Sequence, residues 1–153
     1  MRYIHKLAEG VITLLFASIV VVGSLQVFNR FVLNVSLSWS EEYQKFAFVW
    51  LVFLAIPIAY ERAAHLRVDT FFDLFPARWR YAMRIVIDVL WIGLGIAFVV
   101  YTNQLMQVTR FQTSPGLGVS MANVYLGVWI GGAYLALTAL VGLLHKLFAK
   151  DAI

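Results

Sequence analysis

The sequence predicts an all-α integral membrane protein: four transmembrane helices, both termini in the cytoplasm, and a short amphipathic interfacial helix between the second and third. Three observations predict it. Of 153 residues, 62% are hydrophobic and 13% charged, where an ordinary soluble domain has about a quarter of its residues charged. The mean hydropathy is +0.82. The charges are also bunched, leaving uncharged stretches about as long as a hydrocarbon core is thick. At about 20 residues per crossing, such a chain makes about four spans and has no room for a soluble catalytic domain. It therefore reads as one membrane domain over 1–153, with spans of about 8–30, 41–62, 78–109 and 119–146 and an interfacial helix at about 66–75.

The first span is uncharged from Gly10 to Asn29, between Glu9 and Arg30. Arg2 and Lys6 precede it as they would a signal peptide, but the apolar run is longer than an h-region of about 7–15 residues. It reads as a retained helix. The loop that follows carries Asn34 and then Ser38-Trp39-Ser40-Glu41-Glu42. Ser38 and Glu41 have capping-box spacing, Trp39 suits headgroup depth, and Lys45 stands one turn after Glu41. Capping does not explain the second carboxylate. Glu42 points about 100° away from Glu41 on a helix, toward Arg30 or a basic group on a partner.

Between the second and third spans, Val68, Phe71, Phe72 and Phe75 recur with helical period while Arg67, Asp69, Thr70 and Asp73 take the other face. This is the pattern of a helix in the interface plane, its apolar side toward membrane lipids or a partner. A plain connecting elbow is the other reading. Pro76 suits the first turn of the third helix, where its missing N–H is no loss. In that helix Asp88 follows Arg84 by four residues on one face, which favours a structural ion pair over a proton or ion site. The run Gln112-Thr113-Ser114-Pro115-Gly116 reads as a turn before the fourth span.

Basic residues set the orientation. Nine of the twelve (Arg2, Lys6, Arg62, Arg67, Arg78, Arg80, Arg84, Lys146 and Lys150) lie at the termini or in the middle loop, and Arg30, Lys45 and Arg110 lie opposite. The excess is placed in the cytoplasm. It also accounts for the net charge of +4 without nucleic-acid binding. Having no cysteine, the chain has no disulfide, thiolate metal site or cysteine nucleophile. His5, His65 and His145 fall near span ends, where they do not converge on haem or metal. No phosphate loop, H-E-x-x-H or G-x-S-x-G occurs. The expectation is no enzyme and no cofactor.

Small residues mark packing faces: Gly127-x-x-x-Gly131 and Gly132-x-x-x-Ala136 in the fourth span, Gly93-x-x-x-Ala97 in the third, and Gly10, Ala17 and Ser24 in the first. In lipid such faces seat other helices, internal or foreign. The spans are otherwise apolar nearly all round.

The run Phe28-Asn29-Arg30-Phe31-Val32-Leu33-Asn34, then Leu37-Ser38-Trp39-Ser40-Glu41-Glu42 and Phe48-Val49-Trp50-Leu51-Val52-Phe53-Leu54-Ala55, resembles the small membrane subunit, the Q-type or DctQ-like component, of tripartite ATP-independent periplasmic (TRAP) transporters. His65-Leu66-Arg67-Val68-Asp69 and Ser114-Pro115-Gly116-Leu117-Gly118 match in order. The last span departs from the pattern in lacking prolines near Ser120 and Ile130. The resemblance implies a non-catalytic subunit paired with a large multi-span membrane subunit, for sodium-driven uptake of an organic acid delivered by a periplasmic binding protein. It implies the bacterial inner membrane. Trp39, Glu41 and Glu42 would anchor the outer end of the second span, Arg30 and Asn34 would shape the periplasmic loop, and Pro115 would face the binding protein.

The competing reading is an independent small oligomeric transporter or channel, using Asp88 and the Asn103, Gln104 and Gln107 cluster as its polar pathway. An anchor for a redox or signalling complex is a third. The transported substrate is not legible in this chain.

Overall fold

Lipid offers no hydrogen bonds, so a chain this apolar must satisfy its backbone internally; even its many β-branched and aromatic residues become helical there. The computed structural model of the chain describes residues 2–65 and 76–148. They form four helices: α1 (Arg2–Phe31), α2 (Ser38–His65), α3 (Ala77–Thr109) and α4 (Met121–Phe148). All four are long and apolar enough to cross a membrane, which makes this a multi-pass membrane protein. The interfacial helix expected at 66–75, with Arg67 and Asp69, lies outside the described residues.

The helices outrun the uncharged stretches. α1 is already helical at Arg2, well before the expected start at 8. Charges mark where lipid ends, and a helix continues past that level when its polar side chains find partners. Here His5 and Glu9 find them on α2 and α4. α2 begins at Ser38, three residues before the expected 41, and not through a capping box. The Leu37 carbonyl accepts both the Ser40 N–H (3.2 Å) and the Ser40 hydroxyl (2.7 Å), so Leu37 holds the cap position. Glu41 is released to accept from Gln26 on α1 instead. Pro76 sits at the N-cap of α3, one residue outside its first turn. α4 begins at Met121 rather than 119, because Ser120 still pairs with Thr113 in the preceding loop.

The helices stand in a row, α1–α2–α4–α3, rather than closing into a four-cornered bundle. Chain direction alternates except for α2 and α4, which run parallel: Trp50 meets Gly127 and Phe53 meets Gly131. The two small-residue pairs of α4, Gly127/Gly131 and Gly132/Ala136, face opposite ways. A Cβ on Gly131 would lie 2.5 Å from the Phe53 carbonyl oxygen, and one on Gly132 would lie 2.7 Å from the Phe98 Cβ. Gly127 and Gly131 thus seat α2, and Gly132, with Gly95 across from it, seats α3. The core is small: Tyr60, Leu135 and Ala139, with Ile56, Trp91 and Ile92 against them.

The α1–α2 seam is different in kind. Tyr43 donates to Ser18 (2.8 Å), and Gln44 donates to Gln26, which in turn reaches Glu41 (3.3 Å). Interhelical hydrogen bonds are an effective adhesive where lipid competes for no polar group. None of the most apolar window of α1 is buried. Leu14, Phe16 and Val21 are 60% or more exposed, and a Cβ on Gly10 or Gly93 would meet nothing.

Candidate functional site

Three polar constellations hold the row, one at the loop end and two at the end carrying both termini. At the loop end the chain leaves α1 through Asn34, whose φ of 53° reverses the backbone while Val35 bonds back to the Asn29 carbonyl (3.0 Å). Asparagine accepts this left-handed geometry more readily than a branched residue. The loop before α4 closes on itself through Ser114 N–H to Val119 (2.9 Å), Gly118 N–H to Ser114 (2.9 Å) and Met121 N–H to Gln112 (2.9 Å), with Gly118 at φ 66°. It presents consecutive N–H groups to one carboxylate. Glu42 accepts from Gly116 (3.0 and 2.9 Å) and from Leu117 (3.0 Å), so the first turn of α2 clamps the loop carrying Pro115. A Cβ on Gly116 would lie 2.9 Å from that carboxylate.

Glu42→Ala removes an ionised acceptor from these donors. Amide exchange at Gly116 and Leu117 is expected to rise by about tenfold, with Glu42→Gln intermediate because it keeps one carbonyl oxygen. Hydrogen-exchange mass spectrometry over 112–120 reads this; unchanged protection there in Glu42→Ala would remove the clamp from the account.

At the other end His5 places Nε2 2.9 Å from Glu61 and shares a hydrogen bond with Tyr134 through Nδ1, joining α1, α2 and α4. Glu9 pairs with Arg62. Deeper, Asp88 is fully buried. Tyr60 on α2 donates to one of its oxygens and Lys146 on α4 to the other. The ion pair expected within α3 thus runs across helices: Lys146, 58 residues along the chain, takes the place given to Arg84. A long lysine stem lets a charge from near the helix end reach a buried acceptor.

The structure places the remaining sequence candidates as follows. Glu42 and Pro115 are brought to one clamp, with Pro115 exposed on the turn. Trp39 is half-buried, and Arg30 and Glu41 are exposed, so Glu42 meets backbone amides rather than Arg30. His65 ends α2. Spacing patterns in the sequence do not mark Tyr60, Gln26, Gln44 or Tyr134 as contact residues, nor show that Lys146 and His5 reach across to other helices. Gln26 carries a usable signal, being a polar amide inside the uncharged stretch from Gly10 to Asn29; the others depend on contacts between distant segments.

A transport path needs polar groups in line through the membrane. Asp88 is closed in by Tyr60 and Lys146, while Asn103, Gln104 and Gln107 are exposed on α3. Fifteen residues separate Asp88 from Asn103, about 22 Å along a helix, so the two polar sets do not meet. Among the described residues no three His, Asp or Glu side chains are grouped to hold a metal. The arrangement is a braced frame with broad apolar faces.

Residues 19–149 match the family described as tripartite ATP-independent periplasmic transporters, DctQ component. The chain belongs to the DctQ family. Curated relatives agree with DctQ membership. A putative TRAP transporter small permease protein of Haemophilus influenzae is 29% identical over 133 residues, 84% of this chain and 78% of that one. The sialic acid TRAP transporter small permease protein SiaQ of Vibrio cholerae is 24% identical over 135 residues, 88% of this chain and 78% of that one. The isethionate TRAP transporter permease protein DctMQ of Oleidesulfovibrio alaskensis is 36% identical over 90 residues, 58% of this chain. The match spans only 14% of that much longer protein. DctQ is a family of transporter components, and this chain is a small TRAP permease with transmembrane helices.

Proposed function

We propose that this chain is the accessory membrane subunit of a TRAP transporter, pairing with a large membrane subunit in the bacterial inner membrane. The pair takes up an organic acid delivered by a periplasmic binding protein, driven by sodium, and this chain enlarges the fixed scaffold. The match of residues 19–149 to the DctQ component carries the reading. The exposed apolar flanks of α1 and α3 and the separation of Asp88 from the α3 amides support it, since they suit a packing role and no polar path. With the basic excess at the end carrying both termini, that end is the cytoplasmic one and the Glu42 clamp faces the binding protein.

Reconstitution tests this. The chain alone in proteoliposomes is expected to transport nothing. With a large TRAP membrane subunit and its matching binding protein, a sodium gradient is expected to drive uptake, and omitting this chain to abolish it. Sodium-driven uptake by the chain alone would overturn the accessory role in favour of an independent transporter.

A further inference from the structure

We propose that the crevice between α1 and α2, at the end carrying both termini, is a binding site for the headgroup of a phospholipid bearing a primary amine. The crevice has a volume of about 640 Å³ and is lined at its mouth by Glu9 and Arg62 and below by Ile12, Ala55, Ile58 and Ala59. Its depth is right for a lipid headgroup. The uncharged stretch of α1 begins at Gly10, the residue after Glu9, and that of α2 ends at Tyr60, just before Glu61 and Arg62. Both charges therefore sit at the level where headgroups give way to acyl chains.

The charges are under-used. Arg62 and Glu9 are joined through Nη2 and Oε1, with side chains 67% and 45% exposed. A guanidinium has five N–H donors in a fork that fits a phosphate in two-point contact, and a carboxylate has a second oxygen. The Thr13 hydroxyl is engaged by the Glu9 carbonyl (2.8 Å) and makes no further demand. A phosphate on Arg62 and an ammonium on Glu9 would complete both without adding net charge.

The same pairing discriminates among lipids. An anionic headgroup gains Arg62 but is repelled by Glu9, whereas a choline headgroup has no N–H to donate to a carboxylate. An ethanolamine headgroup meets both requirements. The alanines at 55 and 59, one turn apart, leave room for the glycerol and first acyl carbons beside Ile12 and Ile58.

The full-length chain, purified in mild detergent with phosphatidylethanolamine, phosphatidylcholine and phosphatidylglycerol of identical acyl chains, is to be examined by native mass spectrometry. One phosphatidylethanolamine is expected to be retained about tenfold better than either competitor. Arg62→Gln and Glu9→Gln are each expected to lower its retention to the phosphatidylcholine level. Ala59 is exposed, so Ala59→Leu leaves folding and the ion pair intact while filling the crevice; it too should abolish retention. Equal retention of the three lipids, a preference for phosphatidylglycerol, or a phosphatidylethanolamine preference that survives Ala59→Leu would each overturn the proposal. No transport activity enters the readout, so the result stands apart from the role in uptake.

Discussion

Gly131→Leu is expected to open the α2–α4 seam and leave little folded protein. The reason is the closeness of two backbones. A Cβ alone would lie 2.5 Å from the Phe53 oxygen and 2.7 Å from its carbonyl carbon, and backbone atoms cannot swing aside as a side chain does. Over-packing a core that can adjust costs about 1–3 kcal/mol. Here the adjustment must come from a whole helix, which also carries Trp50 against Gly127 one turn away. Gly10→Leu is the matched control, because a Cβ there meets nothing. Thermal unfolding in detergent, followed by size-exclusion profile, is expected to show Gly10→Leu like the parent and Gly131→Leu aggregated. Equal stability of the two would mean that the α2–α4 contact is not what holds the chain together.

The second large effect is expected at Lys146. Asp88 is fully buried, whereas the Lys146 side chain is 28% exposed, so the two partners do not lose equally when the pair is broken. Lys146→Met leaves the buried Asp88 carboxylate without its lysine, and breaking a buried pair in this way costs about 3–5 kcal/mol. Asp88→Asn leaves a lysine that can extend toward the headgroups, at a cost of about 1–2 kcal/mol. Lys146→Met is therefore expected to unfold at clearly lower temperature than Asp88→Asn, and the double variant to recover part of the difference. Asp88→Asn is also expected to leave uptake by the assembled transporter largely intact. Complete loss of uptake with normal assembly would make Asp88 a transport residue and end the structural account of it.

Much of the fold was legible because lipid simplifies the problem. Where every backbone group must bond within its own segment, an uncharged stretch of sufficient length has one solution, and the run from Gly10 to Asn29 leaves little else to decide. Helix ends were less legible. Glu9 and Arg62 bound the apolar stretches, yet α1 and α2 run past them, since a paired charge no longer terminates anything. The clamp is half legible in the sequence: a second carboxylate stands next to Glu41, and Gln112-Thr113-Ser114-Pro115-Gly116 has the composition of a turn. That the turn's amides receive Glu42 depends on a fold in the chain between residues 42 and 116.

The sequence by itself determined that the chain crosses a membrane with four helices, and it carried the DctQ signature in a few polar residues at the span ends. Hydropathy and charge act along the chain, so a linear reading captures them. Tertiary structure alone decided which faces are spent and which remain. Gly127 and Gly131 seat α2, Gly132 seats α3, and Gly10 and Gly93 stay open, although all five sit in similar small-residue surroundings. It likewise brought Lys146, from 58 residues along the chain, to the Asp88 carboxylate that helical spacing pairs with Arg84. In a bilayer the apolar flanks of a helix are nearly interchangeable, and close backbone approach and a few polar contacts choose among them. Those choices are made between segments and exist only once the helices stand side by side.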